Sequence, residues 1–327
     1  MRRARGYTLV ELMIGSLLGL LTLAVAGQLF LQGSRSYRED ERAARLHDEL
    51  RFALAQLSQD LEMAGWWGGV RGIEALRIDA SAMHAGADCA GDPALALLTR
   101  GDASPAEAHA AFACIAAADF HAGPRSEGSD IVAIQRVAGS ATPPASLIDG
   151  HLYLKTDGAQ ATLYRQGPGA NPAPHAGGVY FEYRPAIWYL RRYSVSVDES
   201  PRIPALCRKV LAEGGARMQS DPGGCVAQGI EDLQLEFGLD ADGDGRAEHW
   251  ARFATTPPPE RLAQVVAVRV QLLARTLEAD PQHVDRYEWR LGARRHAAFG
   301  DGYARAAMSA LAVLRNPARR MSAPQLP

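Results

Sequence analysis

Residues 7–31 read YTLVELMIGSLLGLLTLAVAGQLFL, an apolar run of 25 residues interrupted by one charge, Glu11. At about 1.5 Å rise per residue, a helix of this length spans the hydrocarbon core of a bilayer. Arg2, Arg3 and Arg5 precede the run, which keeps its start on the cytoplasmic side of a membrane. Glu11 is the anomaly, because an ionised side chain inside hydrocarbon costs at least about 2.5–3.5 kcal/mol. The chain therefore has either a greasy leader that is removed or an anchor whose lone acid has a purpose.

Two processing schemes fit. The triplet AVA at Ala24–Ala26 has the A-x-A form of a secretory cleavage site, and cutting there releases a soluble protein beginning at Gly27. That scheme has no use for Glu11. The other scheme cuts before the run, after Gly6, and retains it. Cleavage then creates a cationic α-amine at Tyr7, one helical turn from Glu11, at the positive end of the helix dipole, where a carboxylate is favoured. Thr8-Leu9-Val10-Glu11 also has the T-x-x-E form of a capping box, in which Glu11 satisfies backbone amides. Gly15 and Gly19 have the G-x-x-x-G spacing that lets membrane helices approach closely, although small residues are common in such segments.

The helical pattern continues past the apolar run. Leu46, Leu50, Ala53, Leu54, Leu57, Leu61 and Ala64 recur at helical spacing with charges between them, and Gly65 follows as a C-terminal stop. Residues 7–64 thus predict one spine helix, of which 7–31 is transmembrane, after a leader of residues 1–6 and before a head domain over 65–327. In the head, apolar and alternating runs predict strands at Ile131–Val137, Leu152–Lys155, Ala161–Arg165, Val179–Tyr183, Ile187–Val197, Leu233–Leu239, Val265–Leu273 and Tyr287–Leu291. Turn clusters such as GPGANPAPHAGG and TTPPPE separate them. The fold class is α+β, a spine helix packed on a mainly antiparallel sheet. Residues 80–125 resist assignment, and the last dozen residues read as a loose tail.

The four cysteines fall into two local couples, Cys89 with Cys114 and Cys207 with Cys225, separated by 25 and 18 residues. In an oxidising compartment short separations meet first, and each such loop closure is worth about 3 kcal/mol.

The leader RGYTLVELMIGSLLGLL resembles that of type IV prepilins, which have a short basic peptide, Gly at the cut, an aromatic first residue and then T-L-V-E-L. The resemblance implies that a membrane-embedded prepilin peptidase/methyltransferase cuts after Gly6 and methylates Tyr7, with Tyr7 in place of the commoner Phe. It implies that Glu11, the fifth mature residue, pairs with the amino terminus of a neighbouring subunit during assembly. The stretches SYREDERAARLHDELRFALAQLSQDLEMAGWWG, GIEDLQLEFGLDADGDGRAEHW and VVAVRVQLLART are similar to those of the PilW group of minor pilins. That likeness implies a pilin-like fold and an inner-membrane protein with its head in the periplasm, later carried at or near a pilus tip. Its partners would be other minor and major pilins and a tip-associated adhesin, and it would need no cofactor. Adhesion and twitching motility would follow indirectly. A type II secretion pseudopilin shares the leader and spine, and a soluble calcium-binding periplasmic protein is the reading that follows from cleavage after Ala26.

Asp240-Ala-Asp242-Gly-Asp244-Gly245 has the D-x-D-x-D-G spacing of a calcium loop, with Glu248 in the ninth position and Ala251 where a bidentate Glu belongs. The alternative is a polar hairpin turn after Leu239. Trp66, Trp67, Trp188, Trp250 and Trp289 read as core or sheet-packing anchors. The chain has no H-E-x-x-H, G-x-S-x-G, phosphate-loop or dinucleotide motif, so no enzyme is expected. A net charge of −2 gives no global field for nucleic acid.

Overall fold

A computed structural model of the protein describes residues 8–70, 75–82, 89, 96–125, 127–168, 170, 177–213, 215 and 217–318. The chain divides into two units, residues 1–45 and 46–327. Helix α1 (Leu9–Glu62) begins in the first and ends in the second. Thr8 caps it, and among the described residues the helix opens at Leu9. In the first unit its leucines are open on every side, with Leu9, Leu12, Leu20 and Leu23 all more than half exposed. In the second unit Leu46, Leu50, Ala53, Leu54, Leu57 and Leu61 are buried.

The helix stops two residues short of the expected Ala64. Its last turn tightens, with Met63 N donating to Asp60 O (3.2 Å) and Ala64 N to Leu61 O (3.0 Å). Gly65 then takes a positive φ of 69° and donates its N–H to Gln135 O at 2.9 Å. A side chain from the far end of the protein serves the terminal carbonyls, because Asn316 Nδ2 donates to Ala64 O (3.2 Å) and Glu62 O (3.4 Å).

The strands run β1 (Leu76–Ile78), β2 (Leu97–Ala103), β3 (Ser129–Ile134), β4 (Leu152–Thr156), β5 (Ala161–Arg165), β6 (Val179–Glu182), β7 (Ala186–Arg191) and β8 (Ala205–Leu211). They continue with β9 (Met218–Ser220), β10 (Ala227–Gln228), β11 (Ile230–Leu239), β12 (His249–Ala251), β13 (Val265–Arg275), β14 (Trp289–Leu291), β15 (Arg294–His296) and β16 (Arg305–Val313). Short helices α2 (Pro105–Ala111), α3 (Pro259–Leu262) and α4 (Arg315–Ala318) and a 3-10 turn at Pro144–Ser146 complete the described elements.

The architecture is α+β, but the single sheet expected from sequence is four. One sheet has the order β1-β5-β4-β6, with β1 parallel to β5. A second runs β10-β8-β7-β3-β2, with β9 also on β8. A third runs β12-β11-β13-β16, and β14–β15 is a separate hairpin. The buried stripe of α1 lies against inward residues of the second sheet (Val132, Ile134, Trp188, Leu190, Leu206) and the third (Leu233, Leu235, Phe237, Val268, Val270, Leu272). The second sheet is covered on its other face too, where Phe112, Ile115, Phe120, Ile131, Ile187 and Tyr189 form a second core. That double cover explains why all six residues of β3 are buried. Both disulfides, Cys89–Cys114 and Cys207–Cys225, sit in this second core.

Three other expectations need correction. The strand expected to reach Val197 ends at Arg191, because the chain then turns around Glu199. Its carboxylate accepts the amides of Ser194 (2.7 Å), Val195 (3.2 Å) and Ile203 (2.9 Å). Trp67 and Trp188 are buried at 2% and 0%, but Trp250 is 38% exposed, on a three-residue edge strand with the Arg269 guanidinium 4.1 Å over its ring. The start of the expected loose tail is helical: α4 brings Asn316 to the end of α1, and residues 319–327 lie outside the described residues.

One polar group interrupts the buried face of α1. Asp60 is 4% exposed and accepts from Arg136 Nη2 (2.6 Å) and Trp188 Nε1 (2.9 Å), with Arg208 Nη1 at 3.5 Å. Replacing one partner of a buried ion pair leaves the other uncompensated, at a cost of about 3–5 kcal/mol. Asp60→Ala is therefore expected to lower the urea midpoint of the detergent-solubilised chain, followed by tryptophan fluorescence, far more than Trp188→Phe.

His121 gives the head an acid sensitivity. Among the described residues its buried Nε2 has no hydrogen-bond partner. Burial pushes its pKa down to about 4; Asp232 opposes the shift, and Arg192 and Arg275 reinforce it. Between the ordinary value near 6.5 and about 4, the unfolded chain holds a proton that the folded chain refuses, so stability falls as pH falls through that window. Urea midpoints measured at pH 7 and pH 4.5 should differ less in His121→Gln than in the native chain.

Candidate functional site

The leading edge of α1 is held by a reciprocal cap. Glu11 Oε2 accepts from Thr8 N at 2.8 Å and from Thr8 Oγ1 at 3.0 Å, while Glu11 N donates to Thr8 Oγ1 at 3.3 Å. Two of the helix's orphan donors are satisfied by this exchange. Glu11 Oε1 takes no hydrogen bond among the described residues. Gly6 and Tyr7 lie outside the described residues.

The carboxylate sits at the head of an apolar surface. Among the described residues α1 is the one helix long and apolar enough to cross a membrane, with a mean hydropathy of 2.2 over its best window, none of which is buried. A Cβ placed on Gly15 or Gly19 meets nothing within 4 Å, so both glycines open onto free space in a single subunit.

The residues of the expected calcium loop form a hairpin turn. Leu239 of β11 pairs with His249 of β12, and the acids occupy the loop between them. Asp240, itself buried, accepts from Gly243 N (2.6 Å) through Oδ1 and from Gly245 N (2.8 Å) through Oδ2. Asp242 accepts from Asp244 N (3.1 Å), Asp244 from Arg246 N (2.8 Å) and Glu248 from Ala241 N (2.7 Å). Gly243 and Gly245 supply φ values of 85° and 86° that the turn requires. Asp240, Asp242, Asp244 and Glu248 each bring a carboxylate oxygen within 4.8 Å of the others, a donor set that suits a hard cation.

Other polar centres escaped the sequence reading. Arg305, nearly buried, binds Glu231 (Nε to Oε2, 2.7 Å), Asp285 (3.0 Å) and Asp301 (2.6 and 2.8 Å). Those hydrogen bonds hold the Asp301 carboxyl below its usual range. His296, fully buried, has Nε2 at 2.8 Å from Asp232 and Nδ1 at 3.1 Å from Glu127. Arg294 bonds Asp102, which Arg252 also reaches at 2.8 Å. Neighbouring Asp130 is pushed up to about 7 by burial, against the amides of Asp102 and Leu235 that it accepts. Apart from Asp301, four residues before Arg305, the partners are distant in the chain, Glu231 lying 74 residues from Arg305 and Asp232 lying 64 from His296, and no local motif announces them.

Comparison with known proteins gives three results. The family PilW, described as Type IV Pilus-assembly protein W, matches residues 192–316. That span holds both members of the Cys207–Cys225 disulfide, the acidic loop and all of the β12-β11-β13-β16 sheet. No curated protein matches the chain. Among solved structures, a type IV-like pilin from Thermus thermophilus is similar at 15% identity and a TM-score of 0.39, over 84% of this chain and 98% of that one. Residues 192–316 thus carry the pattern of the PilW family, that of a type IV pilus-assembly protein.

Proposed function

We propose that the chain is a minor pilin, made as a prepilin, that helps initiate type IV pilus assembly at or near the filament tip. The prepilin peptidase/methyltransferase cuts after Gly6 and methylates Tyr7. The helix stays in the inner membrane, with the head in the periplasm, until the subunit joins other minor and major pilins and a tip-associated adhesin. The observation that carries this reading is Glu11, a carboxylate at the head of an exposed apolar helix with one oxygen engaged in its own cap. In a low-dielectric bundle the amine of a neighbouring subunit offsets part of the cost of burying that charge and sets axial register.

Mass spectrometry of the mature protein should find N-methylated Tyr7, and Glu11→Val should still be processed but stop pilus formation. A mature start at Gly27, or normal pili with Glu11→Val, overturns the proposal. Lost protein secretion with intact twitching in a deletion strain would assign the chain to a type II secretion pseudopilus.

The Asp240–Glu248 loop is proposed as a weak Ca2+ site of the extracellular kind, whose dissociation constants are about 10⁻⁴–10⁻³ M. A ligand that binds only the folded state raises its stability. The thermal midpoint of the full-length protein in detergent should rise with added Ca2+, and that rise should vanish in Asp242→Ala/Asp244→Ala. Equal behaviour of the two proteins rules the site out.

A further inference from the structure

Where the chain crosses from the first sheet to the second, the two sheets leave a cleft between them. β6 ends at Glu182 and β7 starts at Ala186, so Tyr183, Arg184 and Pro185 make the crossing. The turn after β8 comes back against β4, with Gly215 so close that a Cβ there would meet Leu152 Cδ1 at 2.5 Å. Asp60, in the last turn of α1, forms the floor, with Arg136 and Arg208 beside it. The cleft has a volume of about 250 Å³, and the exposed Arg184 and Glu213 mark its open side.

Its lining is charged but balanced, with Arg136, Arg184 and Arg208 set against Asp60, Glu182 and Glu213. Each guanidinium is already answered by a carboxylate. Arg184 Nε and Nη2 donate to Glu182 Oε2 (2.9 and 2.6 Å), and Arg208 Nε and Nη2 donate to Asp221 Oδ2 (2.9 and 2.5 Å). Arg136 Nη2 donates to Asp60 Oδ1 at 2.6 Å. An incoming phosphate or carboxylate therefore meets no free fork of the kind that holds anions at two points. What is left over is single groups. Arg136 Nη1 has the Val137 carbonyl only at 3.5 Å, and Arg208 Nη1 has Asp60 only at 3.5 Å. His151 Nδ1 stands 3.8 Å from Glu182 Oε1, too far for a hydrogen bond, and among the described residues neither atom makes one elsewhere.

We propose that this cleft binds one sugar residue, a neutral ring rich in hydroxyls. A hydroxyl both donates and accepts, so it matches single N–H groups and single carboxylate oxygens, whereas an anion only accepts. The gap between His151 and Glu182 seats one hydroxyl. At about 2.8 Å from both, it accepts from His151 Nδ1–H and donates to Glu182 Oε1. Deeper in, Arg136 Nη1 and Arg208 Nη1 each have a proton for another hydroxyl oxygen. Leu152, Val210 and Leu211 give the ring's C–H face an apolar wall. The volume lies below the roughly 300–1,000 Å³ of pockets for larger ligands, which limits the occupant to a single ring. Its open side leaves room for the rest of a glycan.

The test uses the full-length protein in a detergent without a sugar head group. NMR follows saturation transfer from the protein to D-glucose, D-galactose and N-acetyl-D-glucosamine, and at least one should show it at its ring protons. His151→Ala and Glu182→Gln each remove one side of the hydroxyl seat and should weaken that sugar's binding about threefold to tenfold, as the loss of one hydrogen bond does. Both should leave the thermal midpoint in place, since His151 is partly exposed and Arg184, which Glu182→Gln releases, is exposed. A methyl glycoside that binds as well as its free sugar supports a glycan end as the source, and one that fails supports the free sugar. Absence of transfer to all three sugars overturns the proposal. So does equal transfer in both variants, or line broadening of inorganic phosphate with no sugar signal.

Discussion

The head is organised by the need to cover one stripe of α1. Leu46, Leu50, Leu57 and Leu61 cannot be hidden by a single sheet edge, and two sheets converge on them. Burying four leucines contributes about 1.5–3 kcal/mol each, but apolar contact alone does not fix how the helix is turned about its axis. Asp60 does. It shares the buried face with the leucines, and its three partners come from three places: Arg136 just after β3, Trp188 on β7 and Arg208 on β8. A rotation by one residue, about 100°, strands the carboxylate and the Arg136 guanidinium, whereas Arg208 keeps Asp221 at 2.5 Å. The lock therefore specifies orientation, whatever its net contribution to stability.

What was legible in the sequence follows from how local each signal is. The stripe of α1 was readable because a 3.6-residue period survives charged neighbours. β11 and β13 were readable because long apolar runs bounded by Gly and Pro admit few alternatives. β16 was missed because RAAMSALAV is half alanine and has weak alternation, and its strand character comes from pairing with β13. β8 was missed for a similar reason, its polar middle CRK being carried by neighbours on both sides. α2 lay in an Ala-rich stretch, although Ser104 and Glu107 form a full capping box that could have marked it. Glu11 stood out as one charge in an apolar run. Arg305 and Glu231, 74 residues apart, looked like ordinary surface charges until the fold joined them.

At two places a carboxylate ties down its own backbone where a cation partner is proposed. Glu11 caps α1 through one oxygen, and the other takes no hydrogen bond among the described residues. The acids of the β11–β12 loop accept backbone amides and still converge. Preorganisation of this kind lowers the conformational cost of binding, because the side chain is already ordered. In the acidic loop it also limits the gain, since a cation there must share oxygens already in use. The weakness of the proposed calcium site is consistent with that sharing.

Between β13 and β16 the chain takes a long excursion, although adjacent antiparallel strands need only a two-residue hairpin. The entropic cost grows slowly with loop length, roughly as (3/2)RT ln n, so the larger difficulty is holding the segment in one place. Little of it enters the apolar core; Leu291 is buried, while Val284 and Tyr287 are exposed. Arginines pin it instead. Arg305, at the start of β16, gathers Asp285 and Asp301 from the excursion and Glu231 from β11. Arg294, on the β14–β15 hairpin, reaches the Gly128 carbonyl and Asp102 across the head. The excursion is thus pinned onto the third sheet's outer face, where Gly292 closes on Glu236 and Gln271. The polar pins therefore do the holding that apolar burial does elsewhere in the head.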